Sequence, residues 1–243
     1  MEIDVTRYKR IVVLTGAGVS AASGLRTYRG KGGVWDEHNV EEYGHVSVLA
    51  KRPDRTWRLF GQLRTQVRAA QPNKAHHVLA ALERNLDPSQ RFTLITQNVD
   101  GLHRRAGSIN VVELHGNVTR TRCSNDDCDL VPFHDEAIHD RGVLLCPTCL
   151  SALRPDIVLF GEQLPPVQSA QAKQALQDCD LFIAIGTSGI VPPAARYVQM
   201  ADSAGARTIC VNLEPMEPRN TTFKEEYLGK AEEILPVLFG VEP

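Results

Sequence analysis

The chain has 243 residues, a length that suits one large domain carrying a smaller module and excludes a long multidomain assembly. Hydrophobic residues make up 42% and charged residues 23%, enough apolar material for a packed core and too much for a disordered chain. The 27 Lys+Arg against 29 Asp+Glu leave a formal charge of −2, which lacks the basic footprint of a dedicated nucleic-acid binder.

The first clear element is Arg10–Thr15 (RIVVLT), a β-branched apolar run that reads as a buried strand breaking at once into Gly16-Ala17-Gly18. Similar runs recur at 91–96, 110–114, 180–185 and 207–211, mostly with helical patterns between them. Strands alternating with helices predict an α/β fold, a Rossmann-like parallel sheet covered on both faces. Between the first two strands, residues 53–70 place Trp57, Phe60, Leu63 and Val67 at three- and four-residue steps, the pattern of an amphipathic helix with a basic outer face. Residues 73–84 repeat it, with Asn73 as N-cap and Ala75, Val78, Leu79 and Leu82 as the buried stripe. Further helices are expected at 168–177, at 193–203 and from Gly229 onward. Residues 122–154, rich in Cys, Asp and turn formers, break the alternation and read as an inserted module. The expected organisation is a dinucleotide-binding domain formed by 1–121 and 155–243, a helical cofactor lid at about 25–85, and the small module at 122–154.

No run approaches the ~18 apolar residues of a membrane span, and the first ten residues lack the layout of a secretory signal. A cytoplasmic location is expected. Of six cysteines, Cys179 and Cys210 stand alone in apolar runs, whereas Cys123-x4-Cys128 and Cys146-x2-Cys149 form two pairs 17 residues apart. Four thiolates at this spacing fill the shell of one Zn²⁺ and leave no position for water, so the metal is expected to be structural. A zinc ribbon that grips nucleic acid is disfavoured because Asp126, Asp127 and Asp129 surround the first pair.

Gly16-Ala-Gly18-Val-Ser-Ala21 fits G-x-G-x-x-A after a strand, where glycines let a pyrophosphate approach the backbone; the bland alternative is a simple chain turn. A dehydrogenase would need a second strand and a ribose-binding acid about 20 residues on. Asp36 and Glu37 have the spacing but sit in a loop, which argues against hydride transfer. Thr96-Gln97-Asn98-Val-Asp100 follows a strand end and offers polar groups for an amide, a sugar hydroxyl and a water, or else makes an Asx turn. His115 follows the next strand end, where an imidazole can act as general base or simply satisfy a hydrogen bond.

These motifs, with Thr27-Tyr28-Arg29-Gly, Leu114-His-Gly116, Arg154-Pro-Asp-Ile-Val-Leu-Phe-Gly-Glu162, Gly186-Thr-Ser188 and Val211-Asn-Leu-Glu-Pro215, stand in the order found in the sirtuin family. From about Val12 to Pro236 the chain resembles a bacterial NAD-dependent protein deacylase. The resemblance implies that NAD is consumed and that an acylated lysine of a protein is the partner substrate. The products are nicotinamide, free lysine and O-acyl-ADP-ribose. His115 would activate a ribose hydroxyl, with Asn98 and Asp100 positioning the nicotinamide amide and a water. Cofactor contacts are implied for Gly16, Ala17, Gly18 and Ala21, for Tyr28, Arg29 and Gln97, and for Gly186, Thr187, Ser188, Asn212, Glu214 and Ala231. Val158, Phe160, Gly161 and Glu162 would form the edge to which substrate peptide adds as a strand. Phe60 and Arg64 are the positions expected at the acyl pocket. The branch that prefers acidic acyl groups carries a Tyr and, three residues on, an Arg; here the helix offers Phe60 with Leu63, or Gly61 with Arg64, and no Tyr in either register. Arg64 is then read as a solvated helix charge, or as a lone cation for a carboxylate, while Thr27 and Ala21 still resemble that branch. Acetyl is the expected acyl group. Desuccinylation, ADP-ribosyl transfer to protein and an NAD-sensing scaffold are the alternatives.

Overall fold

A computed structural model of the chain describes residues 2–27, 44–139, 144–189 and 192–242. Its centre is a six-stranded, all-parallel sheet of β1 (Arg10–Thr15), β2 (Arg91–Thr96), β3 (Val111–Glu113), β7 (Leu181–Ile185), β8 (Arg207–Asn212) and β9 (Glu225–Leu228). The order is β3-β2-β1-β7-β8-β9. Thr15 is level with Thr96 on one side and with Ile185 on the other. Covering helices explain why the central strands are apolar throughout rather than alternating. Ile11 and Val13 face a core with Val78, Leu79 and Leu82 of α3 (Lys74–Asn85) and Leu235 and Leu238 of α7 (Ala231–Phe239). Val12 and Leu14 face the opposite core with Leu176 of α5 (Pro166–Gln177) and Tyr197 and Val198 of α6 (Tyr197–Ser203). Two-residue periodicity thus distributes one strand between two cores.

Helix α3 begins as the sequence predicts. The Asn73 side chain accepts from Ala75 N at 2.9 Å, and His76 Nδ1 accepts from Asn73 N at 3.2 Å. A cap of this kind is worth about 1 kcal/mol. The predicted amphipathic helix is α2 (Pro53–Ala69), preceded by a short α1 (Val46–Lys51) that the periodicity did not reveal. After β2 a single turn, α4 (Leu102–Arg105), leads on to β3.

The residues after His115 form a second sheet. Strands β4 (Gly116–Cys123), β5 (Phe133–His134) and β6 (Leu153–Ile157) pair antiparallel in the order β5-β4-β6. Gly116 has φ +79°, and a Cβ there would collide with the Asp156 carbonyl, so only glycine lets β4 leave the large sheet at this point. Among the described residues no helix is long and apolar enough to cross a membrane.

Candidate active site

Chain connections leave β1 toward β2 on one side and return through β7 on the other, which makes the C-terminal ends of β1 and β7 the switch point where open α/β sheets hold ligands. Two backbone segments close on each other there. Gly16 N donates to Ile185 O at 3.0 Å, and Gly18 N donates to Gly186 O at 2.9 Å. A Cβ on Gly18 would lie 2.7 Å from Gly186 Cα, and one on Gly16 would lie 2.7 Å from Gly186 O. The glycines are therefore required by the crossing itself. The turn continues as a 3-10 helix, Ala17–Ser23. Asn212 clasps the β7 end, accepting from Thr187 N and donating to Thr187 O, both at 3.1 Å, and Gln97 Nε2 reaches Thr187 Oγ1 at 3.0 Å. Gln97, Thr187 and Asn212 thus meet across three strand ends. Ser188 and Glu214 are exposed on the same rim, Ala17 is half-buried and Ala21 is exposed at the turn, whereas Ala231 is buried in the core at the start of α7. Tyr28 and Arg29 lie outside the described residues.

Beneath the glycine turn sits a buried polar group that the motifs only partly announced. Ser20 Oγ donates to Asp100 Oδ2 at 2.7 Å and accepts from Asn98 Nδ2 at 3.1 Å; His76 Nε2 lies 3.4 Å from the same oxygen. Asn98 Nδ2 also donates to Gly16 O at 3.1 Å, while its buried Oδ1 has no partner among the described residues. Thr15 Oγ1 donates to Thr96 Oγ1 and faces His103 Nε2, each at 2.9 Å. Burial pushes the Asp100 carboxyl up, lowers His76 to about 3 and holds His103 well below the usual imidazole range. Both histidines are therefore neutral here. Ser20 and His103 lie within or just after the sequence motifs but were given no role, and Thr15 and His76 were not singled out by sequence; for His76 the hint was its place three residues after an N-cap.

His115 stands on the far side of Gln97. Its Nδ1 lies 2.8 Å from the Gln97 carbonyl, which can only accept, so Nδ1 carries the proton and Nε2 is left as the acceptor. Burial lowers its pKa, partly opposed by that hydrogen bond. A neutral imidazole with an oriented lone pair can take a proton from a hydroxyl near neutral pH.

Past β6 the chain passes close to His115, with Val158 N donating to His115 O at 2.9 Å. Phe160 is paired on one edge, its N donating to Gly44 O at 2.9 Å and its carbonyl accepting from Val46 N at 3.0 Å. Glu162 turns back to Arg154, with contacts of 2.5 and 2.8 Å, and accepts from Leu159 N at 2.7 Å. Gly161 is exposed. Phe60 packs, partly buried, on an apolar cluster that includes Leu49, Val99, Ile157 and Leu159.

Arg64 corrects the sequence reading. It is 1% exposed, neither solvated nor available to a ligand. Nε donates to Val118 O, the Nη1 group to Asp135 Oδ2 and Ala137 O, and the Nη2 group to Arg120 O and Thr121 Oγ1, all between 2.7 and 3.2 Å. All five guanidinium protons are thereby used. Helical periodicity marks positions on one face together but does not say what that face meets, and here the face carrying Arg64 meets the small sheet.

The four paired cysteines come together. Their Sγ atoms all lie within 4.8 Å of one another, with Cys123 to Cys149 at 3.4 Å and Cys128 to Cys146 at 3.7 Å. All are free thiols. Tetrahedral Zn–S bonds of about 2.3 Å require sulfur separations of about 3.8 Å, so the set fits one closed Zn²⁺ site. The dinucleotide fit rests on the glycine crossing and the orphaned Asn98 Oδ1.

Comparison with known proteins agrees with this geometry. The model of the Sir2 family matches residues 16–193. An NAD-dependent protein deacylase of Pasteurella multocida is 43% identical over 233 residues, spanning 95% of this chain and 97% of that protein. One of Salmonella typhi is 41% identical, spanning 93% and 81%. A Sir2 homologue–NAD complex superposes with a TM-score of 0.86 at 39% identity, covering 95% of this chain and 88% of that one. A Sir2 variant with a deacetylated p53 peptide and 3′-O-acetyl ADP ribose gives 0.84 at 30% identity, covering 97% and 96%.

Proposed function

We propose, since the chain belongs to the Sir2 family, that it is an enzyme that removes acyl groups from protein lysine side chains at the expense of NAD. Nicotinamide, free lysine and O-acyl-ADP-ribose are the products. Bound NAD supplies an electrophilic ribose carbon as its nicotinamide bond breaks. The chain's own residues do the rest. Gly16, Gly18 and Gly186 leave backbone room for a pyrophosphate, and Gln97, Thr187 and Asn212 form a polar rim beside it. Asn98 Oδ1 would accept from the nicotinamide amide, satisfying an acceptor that has no partner among the described residues. Asp100 and Ser20 hold the Asn98 amide. His115 Nε2 takes the proton of a ribose hydroxyl. The observation that carries this reading is the fixed tautomer of His115, next to Gln97 at the switch point.

The acyl preference follows from Arg64. A succinyl carboxylate calls for an available cation, and the donors of Arg64 are all engaged, which favours uncharged acyl groups, acetyl first. Peptide recognition through the backbone along Val158–Gly161 admits many protein sequences. The metal serves a structural module at 122–154 set into the dinucleotide-binding domain, and four free thiols suit a reducing cytoplasm.

The test is mass spectrometry of acetyl-, butyryl- and succinyl-lysine peptides incubated with the protein, with and without NAD. Acetyl loss only with NAD, accompanied by O-acetyl-ADP-ribose, is the expected result. NAD cleavage with every peptide intact would replace this reading with ADP-ribosyl transfer or hydrolysis.

A further inference from the structure

Helix α2 has two buried faces with different neighbours. Phe60, Leu63 and Val67 pack on the apolar cluster that holds Val99 and Leu102, on either side of Asp100, together with Ile157 and Leu159, on either side of Val158. Trp57 and Arg64 face the small sheet. Neither takes part in the proposed chemistry, yet among the described residues they are the two largest of the fully buried side chains. Trp57 packs with Cys123, Cys146 and Leu153, two of the four thiols among them, and its Nε1 donates to Leu153 O at 3.0 Å. The Arg64 guanidinium carbon lies 5.1 Å from the centre of the Trp57 ring. His139 meets that ring edge-on at 4.8 Å and bonds Asp135, the carboxylate that also receives Arg64.

The acceptors of Arg64 come from β4 and from the segment after β5, so they are arrayed only while the small sheet is formed. That sheet has little apolar core of its own, and a four-thiolate metal supplies folding energy in such modules. A buried guanidinium left without its acceptors is strongly destabilising. Loss of the sheet would therefore expel Arg64 and detach the helix.

We propose that Trp57 and Arg64 are positioning residues that fasten α2, and through it the apolar wall beside Asp100 and Val158, to the four-thiolate module, so that metal occupancy is felt at the site. Only the kinetic arm of the test rests on the deacylase reading, because hydrogen exchange requires neither NAD nor peptide. In the zinc-loaded full chain, Arg64→Leu and Trp57→Ala should keep one zinc per chain while amides of 53–69 exchange at least about tenfold faster and those of β1 and β7 stay protected. Trp57→Phe, which keeps an aromatic ring but loses the indole N–H and the volume of the second ring, should retain more of the protection than Trp57→Ala. KM for the acetyl peptide should rise several-fold in the first two variants, with kcat altered less. If a variant fails to fold, graded chelation of the unmodified protein carries the test. Loss of α2 protection in step with zinc, with β1 still protected, supports the proposal. An α2 that stays protected, or that opens only together with β1, overturns it.

Discussion

Gly186 allows the cost of the cradle to be separated from the cost of a backbone conformation. It has φ +58°, and a Cβ there would stand 2.5 Å from Val19 N, 2.7 Å from Gly18 C and 2.8 Å from Gly18 Cα. All three neighbours are backbone atoms, so no side chain can rotate away. Gly205 is the control, with φ +85° and nothing within 4 Å of its Cβ position. Gly205→Ala should incur only the left-handed penalty of ~1–2 kcal/mol, a fall in Tm of about 2–8 °C for a chain of this size. Gly186→Ala adds an overpacking term of ~1–3 kcal/mol, for a total of ~2–5 kcal/mol and a fall of about 4–20 °C. The strain is relieved by moving the 16–19 turn away from β7, which opens the proposed pyrophosphate cradle, so NAD affinity should drop at least about tenfold in Gly186→Ala and stay unchanged in Gly205→Ala. Calorimetric melts and titration calorimetry with NAD measure both. Equal destabilisation of the two variants with normal NAD binding would refute the argument that contact at the crossing requires glycine.

His115→Ala should lower kcat by at least about 100-fold while leaving NAD binding intact, and near-normal turnover would remove His115 as the base. Because burial lowers its pKa, the neutral form persists to lower pH, and the acid limb of kcat should fall below pH 6.5; a limb at or above that value contradicts the assignment. His76 links folding to pH. Its folded pKa of about 3 lies below the ordinary 6.5, so the unfolded chain binds more protons between these values and stability is lost as pH falls through that window. The slope is up to about 1.4 kcal/mol per pH unit, partly offset by Asp100, whose raised pKa lets the folded form take up a proton earlier. Urea midpoints measured across this range should show a shallower slope for His76→Gln, and an unchanged slope would exclude His76 as its source. Cys146→Ser should abolish binding of one zinc per chain and lower Tm; retention of full zinc by elemental analysis would count against the four-thiolate site.

The parallel strands were legible because strands buried on both faces become continuous apolar runs, as RIVVLT and LFIAI do. β9 was not legible. As an edge strand with alternating intermediate and exposed positions, Glu225–Leu228 carries no such run. β4 and β6 were hidden for a related reason, since Thr and Arg in β4 and Arg, Pro and Asp in β6 interrupt any apolar run and a cluster of only a few apolar residues accompanies them. The cysteine set was legible because metal geometry constrains spacing directly. Arg64 was misread because its partners lie 54 to 73 positions further along the chain, where helical periodicity gives no information. Ser20 and His76 share that difficulty, 56 residues apart and joined only by the fold.

The polarity of the site proposed for nicotinamide follows from a helix cap by a chain of forced choices. Asn73 N is a backbone donor, so His76 Nδ1 must accept from it. The neutral ring then keeps its proton on Nε2 and turns a donor toward Ser20 Oγ. Ser20 gives its single proton to Asp100 and can only accept from its other neighbours. Asn98 must therefore present its NH2 group to Ser20 and Gly16 O, and the opposite end of the amide is left as a buried acceptor with no donor among the described residues. An amide in the reverse orientation would oppose oxygen to the Gly16 carbonyl and lose both bonds. The ligand group that completes this set must be a donor, as the amide of nicotinamide is. A residue whose visible task is to start a helix therefore sets which chemical group the site admits.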